Sequence, residues 1–197
     1  MASGFKYYLV FKPYGMLSQF SREGNAPTLA DLGFNFEKDI YPVGRLDADS
    51  EGLLLLTNDN RLKTSLLDPK NKHWRTYHVQ VEGDITEEAC IALSGGVDIV
   101  IDGKVYHTKR ARATPIDPPS HPERIPPIRV RKSIPDSWLS LSLTEGKNRQ
   151  VRRMTAAVGF PTLRLVRVAI GSLRMDHLKP GDVVELGTAE VGRIRNR

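Results

Sequence analysis

The sequence lacks the features that mark several classes of protein. Its one cysteine, Cys90, excludes a disulfide framework and a cysteine-based zinc site. The longest purely apolar run near the middle, residues 53–56, is far too short to cross a bilayer. The first six residues have no apolar stretch of the kind that a signal peptide needs. These absences predict a cytoplasmic protein with no membrane partner.

The composition is that of a folded domain with a moderate excess of positive charge. A length of 197 residues suits one compact domain, or one catalytic unit with two lobes, and the 40% apolar content can fill its core. The 29 basic and 23 acidic residues give a net charge of +6. That excess favours a polyanionic partner, although many proteins with other partners are mildly basic too.

Hydrophobic periodicity predicts more strands than helices, without regular alternation between the two. Strands are predicted at residues 7–11, 53–57, 77–81, 105–113, 139–143, 163–170 and 182–186. Helices are predicted at residues 29–32, about 58–68, 87–95, and 151–158 with Asn148 as the cap. Six prolines between positions 115 and 127 predict an irregular loop.

Together these elements predict a mixed, largely antiparallel α+β fold with flanking helices, rather than a doubly wound one. Residues 1–187 are predicted to form a single domain, because no break in composition demands two. Residues 188–197 are predicted to be a basic C-terminal tail.

Three acidic residues within five positions, Asp47, Asp49 and Glu51, stand at the start of an apolar strand. Arg45 lies two residues before the first of them and can hold a carboxylate ionised and in place. Such a carboxylate can act as a nucleophile or a base. A polar turn explains the same pattern. So does a divalent metal site for phosphodiester cleavage, although neither an EF-hand spacing nor a histidine partner supports it.

A second pattern gathers arginines at the start of a predicted helix. Arg149, Arg152 and Arg153 are three and four residues apart and share one face, while apolar residues at 151, 154 and 158 bury the other. The helix dipole opposes positive charge at this end unless a phosphate or a buried carboxylate is bound there. A plain charged surface stays the alternative. Tyr77, on a predicted strand, is either a core residue or a ring that stacks on a base.

Four segments in the same order resemble the motifs of the RsuA-type pseudouridine synthases. The longest covers residues 44–58 and contains Asp47, and the others are residues 11–15, 75–79 and 145–154. The resemblance extends over about residues 6–186, and residues 126–138 and 155–167 look closest to the RluE branch, which modifies large-subunit ribosomal RNA. Many relatives carry a small S4-like RNA-binding domain before the first motif. We expect none here, as in that branch.

The resemblance implies a two-lobed synthase fold around a central cleft and the isomerisation of a uridine in ribosomal RNA, specifically 23S rRNA. Asp47 would attack or deprotonate the target nucleoside, Tyr77 would pack on the flipped uracil, and Arg152 would pair with Asp47. The reaction breaks the N1–C1′ bond and rejoins the base through C5, so it requires neither a cofactor nor a metal. The base must leave its stack, and loops or single strands are the economical targets.

The expected partner is RNA, bound by a monomer, and Arg45 would also stabilise the opened position of the base. The residues expected to contact RNA are Lys12, Arg45, Arg129, Arg131, Lys147, Asn148, Arg149, Gln150, Arg153 and Arg167. Three alternatives are a non-catalytic RNA-binding or ribosome-assembly protein, a metal-dependent nuclease, and a synthase for another RNA.

Overall fold

The computed structural model describes residues 4–128, 133–175 and 177–195. Its strands are β1 (Tyr7–Lys12), β2 (Tyr41–Pro42), β3 (Glu51–Thr57), β4 (Arg75–Glu82), β5 (Asp98–Ile101), β6 (Lys104–His107), β7 (Arg112–Ile116), β8 (Asp136–Leu143), β9 (Thr162–Ile170), β10 (Leu173–Arg174) and β11 (Val183–Glu185). Its α-helices are α1 (Asn60–Leu67), α2 (Glu87–Gly95), α3 (Gln150–Ala157) and α4 (Thr188–Arg195), and 3₁₀ helices cover Leu29–Leu32 and Pro69–Asn71. Within the described residues, no helix combines the length and the apolar character that crossing a membrane demands.

The chain divides into two compact units. The first unit comprises Met1–His73 and Val168–Arg197, and the second comprises Trp74–Arg167. The strand pairs described below are antiparallel, and a few helices accompany them. The predicted α+β class with a largely antiparallel sheet is therefore confirmed.

In the first unit, β1 lies between β3 and β11 and pairs antiparallel with both. All seven residues of β3 are buried, which explains why its centre is a run of four leucines, residues 53–56, rather than an alternating pattern. Leu54 and Leu56 pack with Tyr8 and Val10 of β1, and full burial of one leucine side chain stabilises the fold by about 1.5–3 kcal/mol. Helix α1 follows directly because the Asp59 carboxylate accepts hydrogen bonds from two amides of its first turn.

In the second unit, β8 pairs antiparallel with β4 and β7, and β9 lies beside β4. The alternation predicted for these strands is present. Val79 of β4 and Leu139 and Leu141 of β8 are fully buried in one core with side chains of α2 and α3. Helix α2 begins and ends as predicted, and the Thr86 hydroxyl caps it.

The proline-rich stretch is irregular over residues 117–128, and its first two residues end β7. Two contacts hold this loop on the sheet. Nε2 of His121 lies 3.0 Å from Nδ1 of His78 on β4, and the Arg164 guanidinium donates a 2.8 Å hydrogen bond to the Pro122 carbonyl oxygen. Burial, His78 and Arg164 lower the pKa of His121 to about 4, so the loop is docked through a neutral imidazole at neutral pH.

Two of the predicted elements differ in the structure. The single strand predicted over residues 105–113 is two strands, β6 and β7, in different sheets. The chain turns away after β6 because the Thr108 hydroxyl accepts a hydrogen bond from the Val97 amide. The predicted basic tail is wrong for residues 188–195, which form α4. The Glu190 carboxylate accepts a hydrogen bond from the Gly187 amide at the start of that helix, and positions 196 and 197 lie outside the described residues.

Candidate active site

Asp47 lies in a tight turn that leads into β3 of the first unit. Its side chain is exposed, whereas Leu46 before it is buried. The Ser50 amide donates a 3.0 Å hydrogen bond to the Asp47 carbonyl oxygen, which closes the turn just before the strand begins. Gly44 has a φ of 73°, and a Cβ atom there would lie 3.1 Å from Leu67, so the position demands glycine. The turn presents a carboxylate to solvent from a well-defined backbone.

Lys12, the last residue of β1, holds this turn, and its side chain is completely buried. Its ammonium donates hydrogen bonds to the carbonyl oxygens of Pro13 (2.9 Å), Met16 (2.7 Å) and Ala48 (3.4 Å). The Gly15 amide donates to the same Ala48 oxygen at 2.7 Å. A buried ammonium needs acceptors around it, and these carbonyls supply them. The predicted RNA contact of Lys12 is therefore wrong, because its charge faces the backbone of the turn.

In the second unit, the half-buried Tyr77 of β4 accepts a hydrogen bond from Arg167 of β9 on its hydroxyl oxygen. Arg167 is almost completely buried, with 3% of its surface exposed. Burial lowers the pKa of the Arg167 guanidinium, and the contact with Tyr77 opposes that shift. The predicted RNA contact of Arg167 is therefore wrong, and this residue instead orients the Tyr77 ring.

The loop before α3 is organised by Glu145, which is buried. Its carboxylate accepts hydrogen bonds from the Tyr106 hydroxyl (2.7 Å), the Lys109 amide (2.8 Å) and the Gln150 side-chain amide (2.6 Å). Burial alone would raise the pKa of the Glu145 carboxyl, but these three donors bring it below its ordinary value. Gln150 also accepts a hydrogen bond from the Lys147 amide and is 3% exposed, so its predicted RNA contact is wrong.

The basic residues at the start of α3 have different environments. Lys147, Asn148 and Arg149 are exposed. Arg149, with a φ of 50°, is the residue that precedes the helix, so the prediction of Asn148 as the cap is wrong. Asn148 instead accepts hydrogen bonds from the Arg153 guanidinium, on its carbonyl oxygen and on its side chain, and Arg153 also reaches the Val100 carbonyl oxygen. The exposed cations here are thus Lys147 and Arg149.

The other predicted site residues are divided between the two units. Asp47 and Arg45, both exposed, belong to the first unit. Arg152 belongs to the second, is half-buried, and donates a hydrogen bond of 3.4 Å to a carbonyl oxygen at the start of β9. The pairing of Arg152 with Asp47 stays a prediction. Arg129 and Arg131 lie outside the described residues.

Sequence reasoning missed the residues that support the site rather than form it. Tyr106 and Glu145 organise the loop before α3, and an acid beside a glycine gave no sign that it would be buried. Glu51, one of three acids considered as metal ligands, is buried with 2% of its surface exposed. In the parts of the chain that the structure describes, no group of three or more His, Cys, Asp or Glu side chains is placed to hold a metal ion.

The positions that carried the resemblance hold an exposed aspartate on a fixed turn, an oriented tyrosine and an arginine-bearing helix. Residues 6–157, which include all three, match the RNA pseudouridylate synthase family. The chain belongs to this family. The family and the isomerase class predicted from the sequence are both confirmed.

Individual relatives extend the similarity to almost the whole chain. The ribosomal large subunit pseudouridine synthase E of Xanthomonas axonopodis pv. citri is 54% identical over 190 residues, which cover 96% of this chain and 98% of that protein. The protein of the same name from Vibrio parahaemolyticus is 47% identical over 181 residues, or 92% of this chain and 74% of that one. A crystal structure of a pseudouridylate synthase is 27% identical, with a TM-score of 0.77, over 97% of this chain and 74% of that one. The predicted branch of the family is confirmed as well.

Proposed function

We propose that this protein converts a uridine of large-subunit ribosomal RNA to pseudouridine. The observation that carries the proposal is the 54% identity with a ribosomal large subunit pseudouridine synthase E over 96% of the chain. Asp47, Tyr77 and Arg152 all lie inside the segment that matches the family. The exposed Asp47 side chain offers the reactive group that the reaction needs.

The reaction fits the chemistry of a carboxylate. The N1–C1′ glycosidic bond breaks, the uracil turns, and C5 bonds to C1′, so every atom of the base is retained and nothing is oxidised or reduced. Asp47 acts either as the nucleophile at the sugar or as the base that removes its 2′ proton. Both roles require a side chain that can reach the ribose, and the exposure of Asp47 supports this assignment.

We assign Tyr77 to the flipped uracil, against which its ring packs. Its hydroxyl oxygen is held by Arg167, so the ring has a defined orientation before RNA binds, and less entropy is lost on binding. We assign Arg152 to Asp47, as the cation that pairs with the carboxylate and aligns it.

We assign the phosphate contacts to exposed residues. Lys147 and Arg149 at the start of α3, with Asn148 between them, lie where the helix dipole favours an anion. Arg45 belongs to the same assignment because it is exposed two residues before Asp47. Arg153, whose guanidinium is engaged by Asn148, adds positive charge to this surface.

The proposal extends to the oligomeric state, the location, the partner and the metal requirement of the protein. We expect the protein to act as a monomer in the cytoplasm, with RNA as its partner and without a metal ion. Light scattering coupled to size-exclusion chromatography measures the mass in solution, and a mass of twice 22.1 kDa would contradict the monomer. Turnover that a chelator abolishes would contradict the metal-independent reaction.

The test is to incubate the purified protein with an unmodified transcript of 23S rRNA and to map pseudouridines by chemical adduct formation and reverse-transcription stops. Asp47→Asn serves as the matched variant, because the amide has the same shape but neither attacks nor removes a proton. We expect a new stop with the wild type that is absent with Asp47→Asn, and equal RNA affinity for the two proteins.

Each other outcome has a defined meaning. A stop on small-subunit or transfer RNA, with none on the 23S transcript, would keep the chemistry and refute the substrate. Tight binding without isomerisation on any RNA would favour the non-catalytic RNA-binding alternative. An Asp47→Asn protein that still isomerises uridine would refute the role of Asp47.

A further inference from the structure

The residue directly before Asp47 is held by a side chain that no motif includes. The Ser18 hydroxyl donates a 2.8 Å hydrogen bond to the Leu46 carbonyl oxygen and accepts one of 3.0 Å from the Leu46 amide. Both residues are buried, Ser18 with 5% and Leu46 with 7% of the surface exposed. The two residues are 28 positions apart in the chain, so the contact joins separate segments of the first unit.

These two hydrogen bonds fix the peptide groups on both sides of Leu46. The Leu46 carbonyl belongs to the peptide that continues into Asp47, so its orientation sets the direction in which the Asp47 backbone leaves the core. On the other side of Asp47, the Ala48 carbonyl accepts hydrogen bonds from the Gly15 amide and the Lys12 ammonium. Residues 12–18 therefore hold the backbone before and after Asp47.

Ser18 is itself anchored on both sides. The Leu17 amide donates a 2.8 Å hydrogen bond to the Pro27 carbonyl, and the Leu29 amide donates one of 2.9 Å to the Gln19 carbonyl. The side chain of Leu29 is fully buried. The Ser18 hydroxyl is thus presented from a backbone that has little freedom of its own.

We propose that Ser18 is a positioning residue that sets the geometry of Asp47 through the Leu46 backbone. The proposal rests on the proposed role of Asp47. Ser18 does not act on the RNA itself, because its hydroxyl is buried and both its donor and its acceptor functions are engaged by Leu46. Its effect is on the approach of the carboxylate to the sugar, where a displacement of about 1 Å can slow a reaction about 100-fold.

The test compares Ser18→Ala with Thr57→Val in single-turnover reactions on the 23S transcript, with the enzyme in excess. Thr57 is a matched control in the same unit, because its buried hydroxyl also donates to a backbone carbonyl, that of Lys6, and accepts from a backbone amide, that of Asp59. Each variant loses one hydrogen bond donated to a backbone carbonyl and one accepted from a backbone amide, so a purely structural role affects both alike.

We expect Ser18→Ala to lower the single-turnover rate about 100-fold while RNA affinity stays close to that of the wild type. We expect Thr57→Val to lower the melting temperature similarly but to keep the rate. Ser18→Thr keeps the hydroxyl, so we expect it to keep most of the wild-type rate. A full rate in Ser18→Ala, or an equal loss of rate in Thr57→Val, would overturn the proposal.

Two further variants keep the test decisive. If Ser18→Ala does not fold, Ser18→Cys replaces the hydroxyl with a weak thiol donor of similar shape, and a full rate in that variant overturns the proposal. Asp47→Asn distinguishes a failure of the inference about Ser18 from a failure of the proposed role of Asp47. An inactive Asp47→Asn with a fully active Ser18→Ala refutes only the inference about Ser18, whereas an active Asp47→Asn refutes the proposed role of Asp47 and this inference with it. A wild type that isomerises no uridine on any RNA refutes the proposed function itself.

Discussion

At the scale of single residues, the hydroxyl of Tyr77 has a structural partner that can be tested without RNA. Tyr77→Phe removes an acceptor from the buried Arg167 guanidinium, so we expect the free energy of unfolding to fall by about 1–3 kcal/mol. Urea denaturation measures this loss. Tyr41→Phe, at a position that is 54% exposed, is the control and should change stability little. An unchanged unfolding midpoint in Tyr77→Phe would show that this hydrogen bond is dispensable to the fold.

The buried carboxylate of Glu145 gives a pH-dependent prediction. Its pKa is lower in the folded protein than its ordinary value of 4.5, so it stabilises the fold above that pH and loses this effect as the pH falls through the lower, folded value. Glu145→Gln turns an amide donor towards groups that are themselves donors. We expect a loss of about 2 kcal/mol at pH 7.

The difference between the wild type and Glu145→Gln should shrink in urea denaturation as the pH is lowered below 4.5. Glu87→Gln, at an exposed position in the first turn of α2, is the control and should cost a few tenths of a kcal/mol at most. A difference for Glu145→Gln that is the same at every pH would contradict the low pKa of the carboxyl.

Whether the predicted contacts of a residue were right depended on how deeply its side chain is buried. The local pattern of acids left the role of Asp47 open, and the resemblance to the synthase family supplied the prediction. The predicted RNA contacts of Lys12 and Arg167 were wrong because both side chains are buried, Lys12 against backbone carbonyls around the Asp47 turn and Arg167 against Tyr77. A charged residue in a motif suggests a contact with a ligand. The sequence alone does not show whether that residue is buried.

At the scale of elements, β7 shows how an outer strand is protected from pairing with another molecule. Within the described residues, β7 pairs with β8 alone, which leaves its other edge open. Along that edge, the Ala113 amide is bound by the Ser94 hydroxyl at 3.0 Å, and Pro115, two positions on, has no amide hydrogen to offer. The edge is therefore poor in free donors, as solvent-facing edge strands require.

The double variant Ser94→Ala/Pro115→Val frees two amides on this edge. We expect it to associate with itself at concentrations at which the wild type does not, because an open edge strand is a template for pairing. Light scattering over a concentration series measures the association. Thr114→Val is the control, because it adds apolar surface to the same strand without freeing an amide on the open edge. A double variant as monodisperse as the wild type would refute this role of Ser94 and Pro115.

Elements whose boundaries are marked by local signals were predicted well, and those set by distant contacts were not. The cap at Thr86 predicted α2, and the alternation around Val79 predicted β4. Both predictions succeeded because the cap and the alternation belong to the elements themselves. The cap of α3 was predicted wrongly because the preceding loop is arranged by Glu145 with Tyr106, which is 39 positions away in the chain. The break between β6 and β7 depends in the same way on a contact of Thr108 with Val97.

At the scale of the whole molecule, composition and motifs contributed different information. A net charge of +6 predicted only a polyanionic partner. The order and spacing of four motifs predicted the family, which the match over residues 6–157 confirmed. The assignment of particular cations to RNA needed the structure, because burial removes some basic residues from the accessible charge.

The accessible positive charge at the start of α3 can be tested by its effect on the salt dependence of RNA binding. The double variant Lys147→Gln/Arg149→Gln removes two exposed cations at the start of α3. Each lost phosphate contact should lower the slope of log affinity against log salt by about 0.7 on single-stranded RNA, so we expect a decrease of about 1.4. Filter binding of the 23S transcript over a salt series measures the slope.

The matched control is Lys70→Gln/Lys72→Gln, which removes the same net charge from two exposed positions outside the motifs. If the slope falls only in the first variant, the two residues at α3 contact phosphate, because counterion release depends on the phosphates that are neutralised and not on net charge. If both variants lower the slope equally, the effect comes from the overall charge of the protein. An unchanged slope in Lys147→Gln/Arg149→Gln would remove the start of α3 from the RNA interface and leave Arg45 as the exposed cation nearest in sequence to Asp47.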